Sequence, residues 1–587
     1  MGRGLRYRWI EPRAAEVPVG WQGPHLVGRL LAQRGIQNES EAEYFLQSPL
    51  TGVHDPGLLS NIAEVAEAIL GELDNTKGRS VWIHGDYDAD GITGATILAR
   101  MLRQLRPQAS VKIHVPDRMT EGYGISIAKL EEIASAGDEV VVSVDCGIAA
   151  IDAAERAKAL GLKLFVTDHH KPLEDETGQI QLPEVPVVHP GLGEYPFAGL
   201  CGAAVAWKLA WACARLAAGD EEGRLPAHLR SLLADLTSLA AIGTIADVVP
   251  LEDENRLIAA WGLRHIAQCR IPGVEALLRV ANLDAKRQLT AMEVGFRLGP
   301  RLNAVGRLGK ADAAVELLCT SDENRAEELA LELDAINRER QELTQRMAKE
   351  AEAMAIAQGF DQPNRRCLVL CGEDWHPGVV GIVASRMVDR FGRPAILLAR
   401  EGDTLRGSAR SIEGFSIHAC IDSAKEHVTK FGGHDMAAGL SLATNQLEAF
   451  TSAILEDAMR IDPEDLTPAL RVATDAQLHE IDVDLIQWLQ KLEPFGRSNP
   501  EPLLRLEATL DQVDPIGRTG SHVAIRLRSG STSLRAIWFN AGEFLPRLAR
   551  GRRVLVLGVP RENRFRGSVS AEVEVKDLAL MAESETC

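Results

Sequence analysis

The sequence predicts a multidomain α/β chain: a parallel-sheet body, a long connecting helix, a smaller α/β body and a C-terminal β-barrel. Three observations carry that expectation. Between residues 61 and 320, short apolar runs end in acids or imidazoles and are separated by helical patterns, as parallel strands with crossover helices require. From 321 to 360 charged residues flank an apolar stripe at three-and-four spacing. After Pro500, apolar and polar residues alternate with period two, as barrel strands do. A length of 587 residues suits about four domains.

Taken in order, residues 1–60 read as a small, mostly helical lead-in, with Leu30, Leu31, Ala42, Tyr44, Phe45 and Leu46 as apolar positions. Helical spacing resumes at Ile62 to Leu73. The run from Ser80 then ends in His84, Asp86, Asp88 and Asp90, after which glycines open a helix. A second strand, Glu139 to Val144, ends in Asp145, Cys146 and Gly147; a third, Lys163 to Thr167, ends in Asp168, His169 and His170. Ala149 to Leu160, rich in alanine, suits the crossover helix between them.

Ligands of parallel sheets bind outside the carboxyl ends of the strands. Clustered carboxylates resist joint ionisation unless a cation compensates. The first cluster alone also reads as a solvated acidic loop with an Asp cap, but three strands delivering ligands at the same end make a metal site the simpler account. In Gly243 to Pro250, Asp247 stands alone in an apolar run. It fits a capped core residue or a further ligand equally, since a buried carboxylate needs a partner. Oxygen-rich sites with some imidazole suit Mn²⁺ or Mg²⁺ rather than thiolate-bound Zn²⁺, and there are ligands enough for two ions.

The stretch 321–360, with Leu329, Leu333, Ile336, Leu343, Met347, Ala351 and Met354, reads as a connector helix; a coiled-coil dimer segment is the competing reading. The second body, 361–463, holds Trp375-His376-Pro377-Gly378, Arg406 to Ser411 and Phe431-Gly432-Gly433-His434. Glycines beside Ser, Arg and His suit an anion grip. The last body, 464–583, reads as an OB-type barrel. From Arg505 to Arg566 there are 12 arginines, no lysine and five acids. Trp538, Phe539, Phe544 and Phe565 lie among them, which suits backbone attraction and base stacking on single strands; the other reading places these aromatics in the barrel core.

Composition restricts the partners. Lys plus Arg is 64 against 83 for Asp plus Glu, a net charge of -19, so any nucleic acid must be held by a locally basic surface. Nine scattered cysteines without a Cys-x-x-Cys pair suit reduced thiols in the cytoplasm. Met1 to Arg13 lacks the apolar core of a signal peptide. Leu232 to Leu251 is apolar but broken by Asp235 and Asp247, so no membrane span is expected.

These motifs together resemble the RecJ family of exonucleases in the DHH phosphoesterase superfamily. The resemblance rests on His84-Gly-Asp-Tyr-Asp-Ala-Asp90, Arg118 with Glu121-Gly-Tyr-Gly124, Ser143 to Gly147, Asp168-His-His170, Gly243 to Pro250, Pro300-Arg-Leu-Asn-Ala-Val-Gly-Arg307 and the three glycine-bearing segments of the second body. It implies a DHH-type domain over 61–320, a DHHA1-type domain over 361–463 and an OB-like domain over 464–583. It further implies that His84, Asp88, Asp90, Asp145, His169 and Asp247 hold two Mn²⁺ or Mg²⁺ ions, with Asp145 bridging. Asp86 and Asp168 would then be close neighbours, and His170 would face the scissile phosphate. Arg118, Tyr123, Arg301, Asn303, Arg307, His376, Ser408, Arg410 and His434 are the implied substrate contacts.

The implied activity is two-metal hydrolysis of single-stranded DNA from the 5′ end to mononucleotides, in repair and recombination. The implied partners are single-strand-binding protein and a RecQ-type helicase, with the enzyme a cytoplasmic monomer. The same ligands also suit cleavage of short oligonucleotides, cyclic dinucleotides or pyrophosphate, but those substrates leave the barrel unexplained. A catalytically silent single-strand-binding scaffold is the alternative of another class, and the complete ligand set argues against it.

Overall fold

The computed structural model describes the chain except residues 1, 75–77, 119, 176, 220–224, 310, 361, 363–364, 566 and 583–587. Two compact units emerge. One comprises residues 43–339 with 492–500; the other comprises 1–42, 340–491 and 501–587.

In the first unit five parallel strands lie in the spatial order Ser110–His114, Ser80–Gly85, Val140–Val144, Lys163–Thr167 and Val187–Val188. The Ser80 strand is first in sequence but second in space, so the chain leaves it to one side and the Val140 strand to the other. That reversal opens a crevice at their carboxyl ends. Val81, Ile83, Val140, Val142 and Val144 are all buried, as β-branched side chains are when both sheet faces are covered.

The helix Ala89–Leu105 packs against Gly202–Ala218 and Ala227–Ala246. It starts where the Asp88 carboxylate accepts hydrogen bonds from the Asp90 and Gly91 amides at 2.9 and 3.1 Å, a cap worth about 1 kcal/mol. Helix Ala227–Ala246 is long and apolar enough to cross a membrane, yet Leu236 to Ile245 are buried in the core of this unit.

Helix Glu323–Ala357 has 35 residues, a rod of roughly 50 Å. Leu329 and Leu333 bury in the first unit's core, and Met347, Ala351 and Ala355 are buried further along. The stripe is thus buried or half-buried within the chain along its length.

In the second unit a sheet runs in the order Leu368–Gly372, Ala395–Glu401, Thr404–Arg410, Ala437–Ala443 and Lys430–His434, parallel only in its first pair. The barrel comprises Leu504–Ile516, His522–Ser529, Thr532–Trp538, Ser568–Leu580 and Arg553–Phe565, and it closes where the last of these pairs with the first. Closure removes the sheet edges that would otherwise invite pairing with another chain.

Two expectations change here. The lead-in contains the helices His25–Ala32 and Glu39–Gln47, but it begins with strands Gly2–Arg3 and Arg8–Ile10, the latter pairing with Ala469–Arg471. Trp9 is fully buried and donates to Asp577 Oδ2 at 2.8 Å. A three-residue strand is too short to show alternation. In the barrel, Trp538 is a core residue, 1% exposed and stacked on Phe544 at 5.1 Å; Phe539 and Phe565 are 49% and 62% exposed. Of the four aromatics, only those two rings are well exposed. Arg566 and Cys587 lie outside the described residues; the other eight cysteines are free thiols.

Candidate metal centre and nucleic-acid interface

The reversal point of the parallel sheet gathers Asp88, Asp90, Asp145, His169 and Asp247 of the expected ligands; His84, buried in the Ser80 strand, joins none of the close donor groups among the described residues, and its Nε2 accepts from the Ser126 amide at 3.2 Å. Asp86 and Asp88 follow the Ser80 strand, Asp145 follows the Val140 strand, and His169 and His170 follow the Lys163 strand. Asp247 arrives from the carboxyl end of helix Ala227–Ala246, whose last turn it closes. Three groups of donor atoms lie within 4.8 Å: Asp86, Asp88 and Asp145; Asp90, His169 and Asp247; and Asp145, His169 and His170. His169 Nε2 stands 3.2 Å from Asp145 Oδ1 and 3.5 Å from Asp247 Oδ2. Asp145 and His169 link the groups, which is the arrangement two neighbouring cations require.

Local structure fixes these side chains. Asp145 has a φ of 64°, a left-handed conformation that costs a non-glycine residue on the order of 1 kcal/mol and is found preferentially at functional sites. A Cβ on Gly202 would lie 2.5 Å from Asp145 Oδ1, so the helix beginning there can approach only with glycine at that position. The Gly202 and Ala203 amides donate to Asp90 at 2.7 and 3.0 Å. Its carboxylate therefore sits in the favourable field of a helix N-terminus. Sequence inspection missed these amides, because nothing in Cys201-Gly202-Ala203 marks a backbone donor.

The charges of the cluster are unbalanced. Elsewhere in this unit Lys208 and Glu254, both fully buried, form an ion pair. Burial, reinforced by neighbouring carboxylates, pushes Asp86 and Asp145 well above the usual carboxylate range and raises Asp88. The same causes push Asp247 up to about 8. Burial also lowers His84 to about 3, with the charge of His114 adding to the effect, so His84 is neutral. His84 Nδ1, Asp86 Oδ1, Asp145 Oδ1 and His169 Nε2 are buried and make no hydrogen bond among the described residues. Each such atom costs about 1–3 kcal/mol, more if charged. Neutral imidazoles and carboxylates with orphaned lone pairs fit a divalent cation.

Asp168 and His170 differ from the rest. Asp168 Oδ1 accepts from the His169 and His170 amides and from His170 Nδ1, while Oδ2 accepts from the Ile148 amide. Burial alone would raise Asp168, but the His170 hydrogen bond and charge and these amides hold it at about 2. Burial alone would lower His170, but the hydrogen bond and charge of Asp168 raise it to about 9. An imidazolium thus stands at the edge of the acidic cluster, with Nδ1 engaged and its outer edge exposed.

The expected substrate contacts separate into three sets. Arg118 lies over the Tyr87 ring at 5.2 Å, and Tyr123, 55% exposed, packs edge-on against both Tyr87 and His170. Arg307 acts electrostatically on Tyr87, beside the cluster. Two of the expected contacts are engaged within the fold. Arg301 pairs with Asp334 at 2.7 Å and donates to the carbonyls of Arg297 and Val280, so its guanidinium is spent within the fold. Asn303 Oδ1 accepts from the Ala89 amide at 2.7 Å and braces the helix that carries Asp90.

In the second unit Ser408 and Arg410 share one face of their strand, and Arg410 donates to Ser408 Oγ at 2.9 Å. A Cβ on Gly381 would meet both side chains at 3.0–3.1 Å, which puts them at the first turn of helix Val380–Phe391. His376 Nδ1 accepts from the Gly378 amide just ahead of that helix. A helix N-terminus, a serine and an arginine together are donors of the kind that suit an anion. His434 is exposed two strands away, at the end of Lys430–His434.

Family models agree with this architecture: a DHH family N-terminal domain matches residues 80–244, a DHHA1 domain 364–459, and a RecJ OB domain 473–577. The single-stranded-DNA-specific exonuclease RecJ of Bacillus subtilis strain 168 is 38% identical over 562 residues, 94% of this chain and 68% of that protein. The crystal structure of RecJ from Thermus thermophilus in complex with Mn²⁺ superposes with a TM-score of 0.82 at 30% identity, covering 99% of this chain and 80% of that one. Its Mg²⁺ complex gives 0.75 at 28% identity, covering 99% and 79%. With the three domains in order and likeness over nearly the whole length, the chain belongs to the RecJ family of single-stranded-DNA-specific exonucleases.

Proposed function

We propose that the buried cluster binds two Mn²⁺ or Mg²⁺ ions and hydrolyses single-stranded DNA from the 5′ end, releasing mononucleotides in repair and recombination. The observation that carries this reading is the set of buried, mutually repelling carboxylates with orphaned lone pairs at the reversal point of the sheet. His84, Asp88, Asp90, Asp145, His169 and Asp247 are the ligands in this reading. Asp86 joins them, because its carboxylate stands with those of Asp88 and Asp145. Asp145 links the two positions.

Divalent ions bound there supply a nucleophilic water at neutral pH and offset charge on the attacking and leaving oxygens. The remaining work belongs to the chain. His170, held charged by Asp168, presents an N–H to a phosphate oxygen and stabilises the charge that develops there. Tyr123 and Tyr87 offer ring faces beside the cluster for the terminal nucleotide, and Arg118 and Arg307 add positive charge. Ser408, Arg410 and the helix N-terminus they adjoin grip a phosphate, with His376 shaping the approach and His434 on the same sheet. The exposed Phe539 and Phe565 with nearby arginines hold the strand on the barrel. A cytoplasmic enzyme working as a monomer beside single-strand-binding protein and a RecQ-type helicase completes the reading.

The test uses internally labelled single strands blocked at either end, with Mn²⁺. Survival of the 5′-blocked strand alone, with mononucleotides accumulating from the other, is the expected result. Destruction of the 5′-blocked strand with survival of the 3′-blocked one would reverse the polarity. Cleavage restricted to dinucleotides would replace the substrate class.

A further inference from the structure

The segment Leu492–Pro500 departs from its sequence neighbours. Residues before and after it belong with the second unit, whereas 492–500 belongs with the parallel-sheet body. It is held by hydrogen bonds to that body and within itself. Arg256 donates to the Leu492 and Glu493 carbonyls at 3.1 and 2.9 Å. The buried Asn499 amide donates to Leu492 and Pro494 at 2.9 and 2.8 Å. Gly496 and Asn499 exchange backbone hydrogen bonds at 2.9 and 3.2 Å, and Ser498 between them takes a left-handed φ of 64°. These bonds define a tight turn whose tip is Arg497.

The turn is attached to the segment that leaves the acidic centre. Asp247 is followed by Val248, Val249 and Pro250, and the amide of Leu251 donates to the Arg497 carbonyl at 2.9 Å. A Cβ on Gly496 would lie 2.7 Å from Leu251 Cδ1, so the turn and the Leu251 side chain are in close contact. The Arg497 side chain is exposed and forms no ion pair among the described residues, and its charge acts on the Asp247 carboxylate. All of the bracing runs through backbone atoms and other side chains. The guanidinium therefore contributes nothing visible to the turn, yet the turn holds it beside the cluster.

We infer that Arg497 is a substrate-binding residue, holding a backbone phosphate of the strand on the Asp247 side of the centre. This rests on the reading of the cluster as the hydrolytic site. An arginine offers paired donors matched to phosphate oxygens. It also supplies positive charge where carboxylates would otherwise repel the polyanion. A phosphodiester in any sequence suits it, since the guanidinium meets phosphate oxygens rather than a base.

The experiment compares wild type, Arg497→Ala and Arg497→Lys on single-stranded oligonucleotides with Mn²⁺, with melting temperature and Mn²⁺ affinity measured on the same samples. For Arg497→Ala the expected result is a rise of about 10-fold in KM with a smaller change in kcat, unchanged melting temperature and Mn²⁺ affinity, and partial rescue by Lys. The slope of log binding against log salt should fall by about 0.7, the loss of one single-strand phosphate contact. Unchanged KM and salt slope would overturn the inference. So would a loss of activity that follows a lower melting temperature or weaker Mn²⁺ binding without rescue by Lys, because that pattern marks a structural role. Wild-type protein that hydrolyses no strand would instead reject the hydrolytic reading itself.

Discussion

The parallel-sheet body and the C-terminal barrel both concentrate charge of one sign, and they treat it in opposite ways. At the sheet's reversal point the carboxylates of Asp86 and Asp145 are buried and those of Asp88 and Asp247 half-buried, crowded on one another, with the His170 imidazolium 3.8 Å from Asp145 Oδ1 at the edge. Burial raises every one of them, and neighbouring carboxylates raise them further. On the barrel most arginines are already answered. Arg505 pairs with Asp475 and Glu11, Arg535 with Glu572, Arg553 with Glu507, Arg561 with Glu501 and Glu574, and Arg564 with Glu562. Composition locates charge, but pairing decides whether that charge is available to a ligand.

The largest test of this contrast removes one acid from the centre of the cluster. Asp145→Asn should lower turnover on single strands roughly a thousandfold or more, about 4 kcal/mol of transition-state stabilisation, with far-ultraviolet circular dichroism unchanged. A paired acid gives a different signature. Asp168→Asn removes the group that keeps His170 charged to about pH 9. The alkaline limb of the pH–rate profile should therefore move to lower pH, with a loss of about 10–100-fold at pH 8. A profile that keeps its alkaline limb near pH 9 in that variant would break the link between His170 and Asp168.

The third test is thermodynamic. Groups whose acid pKa is raised in the folded state stabilise the protein below the unfolded pKa and lose that contribution as pH rises. With Asp247 near 8, metal-free protein should lose stability between about pH 4 and pH 8 as the cluster ionises. Saturating Mn²⁺ should then raise the melting temperature by more at pH 8 than at pH 6. Equal increments at both pH values would contradict an uncompensated cluster. The smallest expected effects lie on the barrel. Phe565→Ala and Arg526→Ala should each raise KM for long strands about 2–10-fold, while Arg564→Ala, whose charge Glu562 already holds, should leave it within about 2-fold. Equal losses from all three would mean that pairing does not limit the barrel's arginines.

The same contrast explains what could be read from sequence. The sheet was legible because each strand ends directly in the residues it delivers, so Asp86 to Asp90, Asp145 and His169 fall into place once the strands are parallel. The long helix and the barrel strands were legible from periodicity alone. Side-chain direction was not. Arg301 and Asn303 lie in one helical run with Arg307, yet they turn to Asp334 and to the Ala89 amide, contacts set by packing. Trp538 and Phe539 are adjacent in sequence, yet Trp538 ends its strand in the core and Phe539 begins the exposed turn beyond it, a boundary that only the folded barrel fixes. The turn bearing Arg497 is bound through backbone carbonyls to residues some 240 positions earlier, and no residue type announces such a contact.

The most direct measurement counts Mn²⁺ ions bound to wild type and to Asp145→Asn by calorimetry, with single-strand hydrolysis followed on the same samples. Two ions bound to wild type, at most one to the variant, and hydrolysis lost with the missing ion are the predicted results. A variant that binds the same number of ions and turns over within a few-fold of wild type would contradict the assignment of the centre.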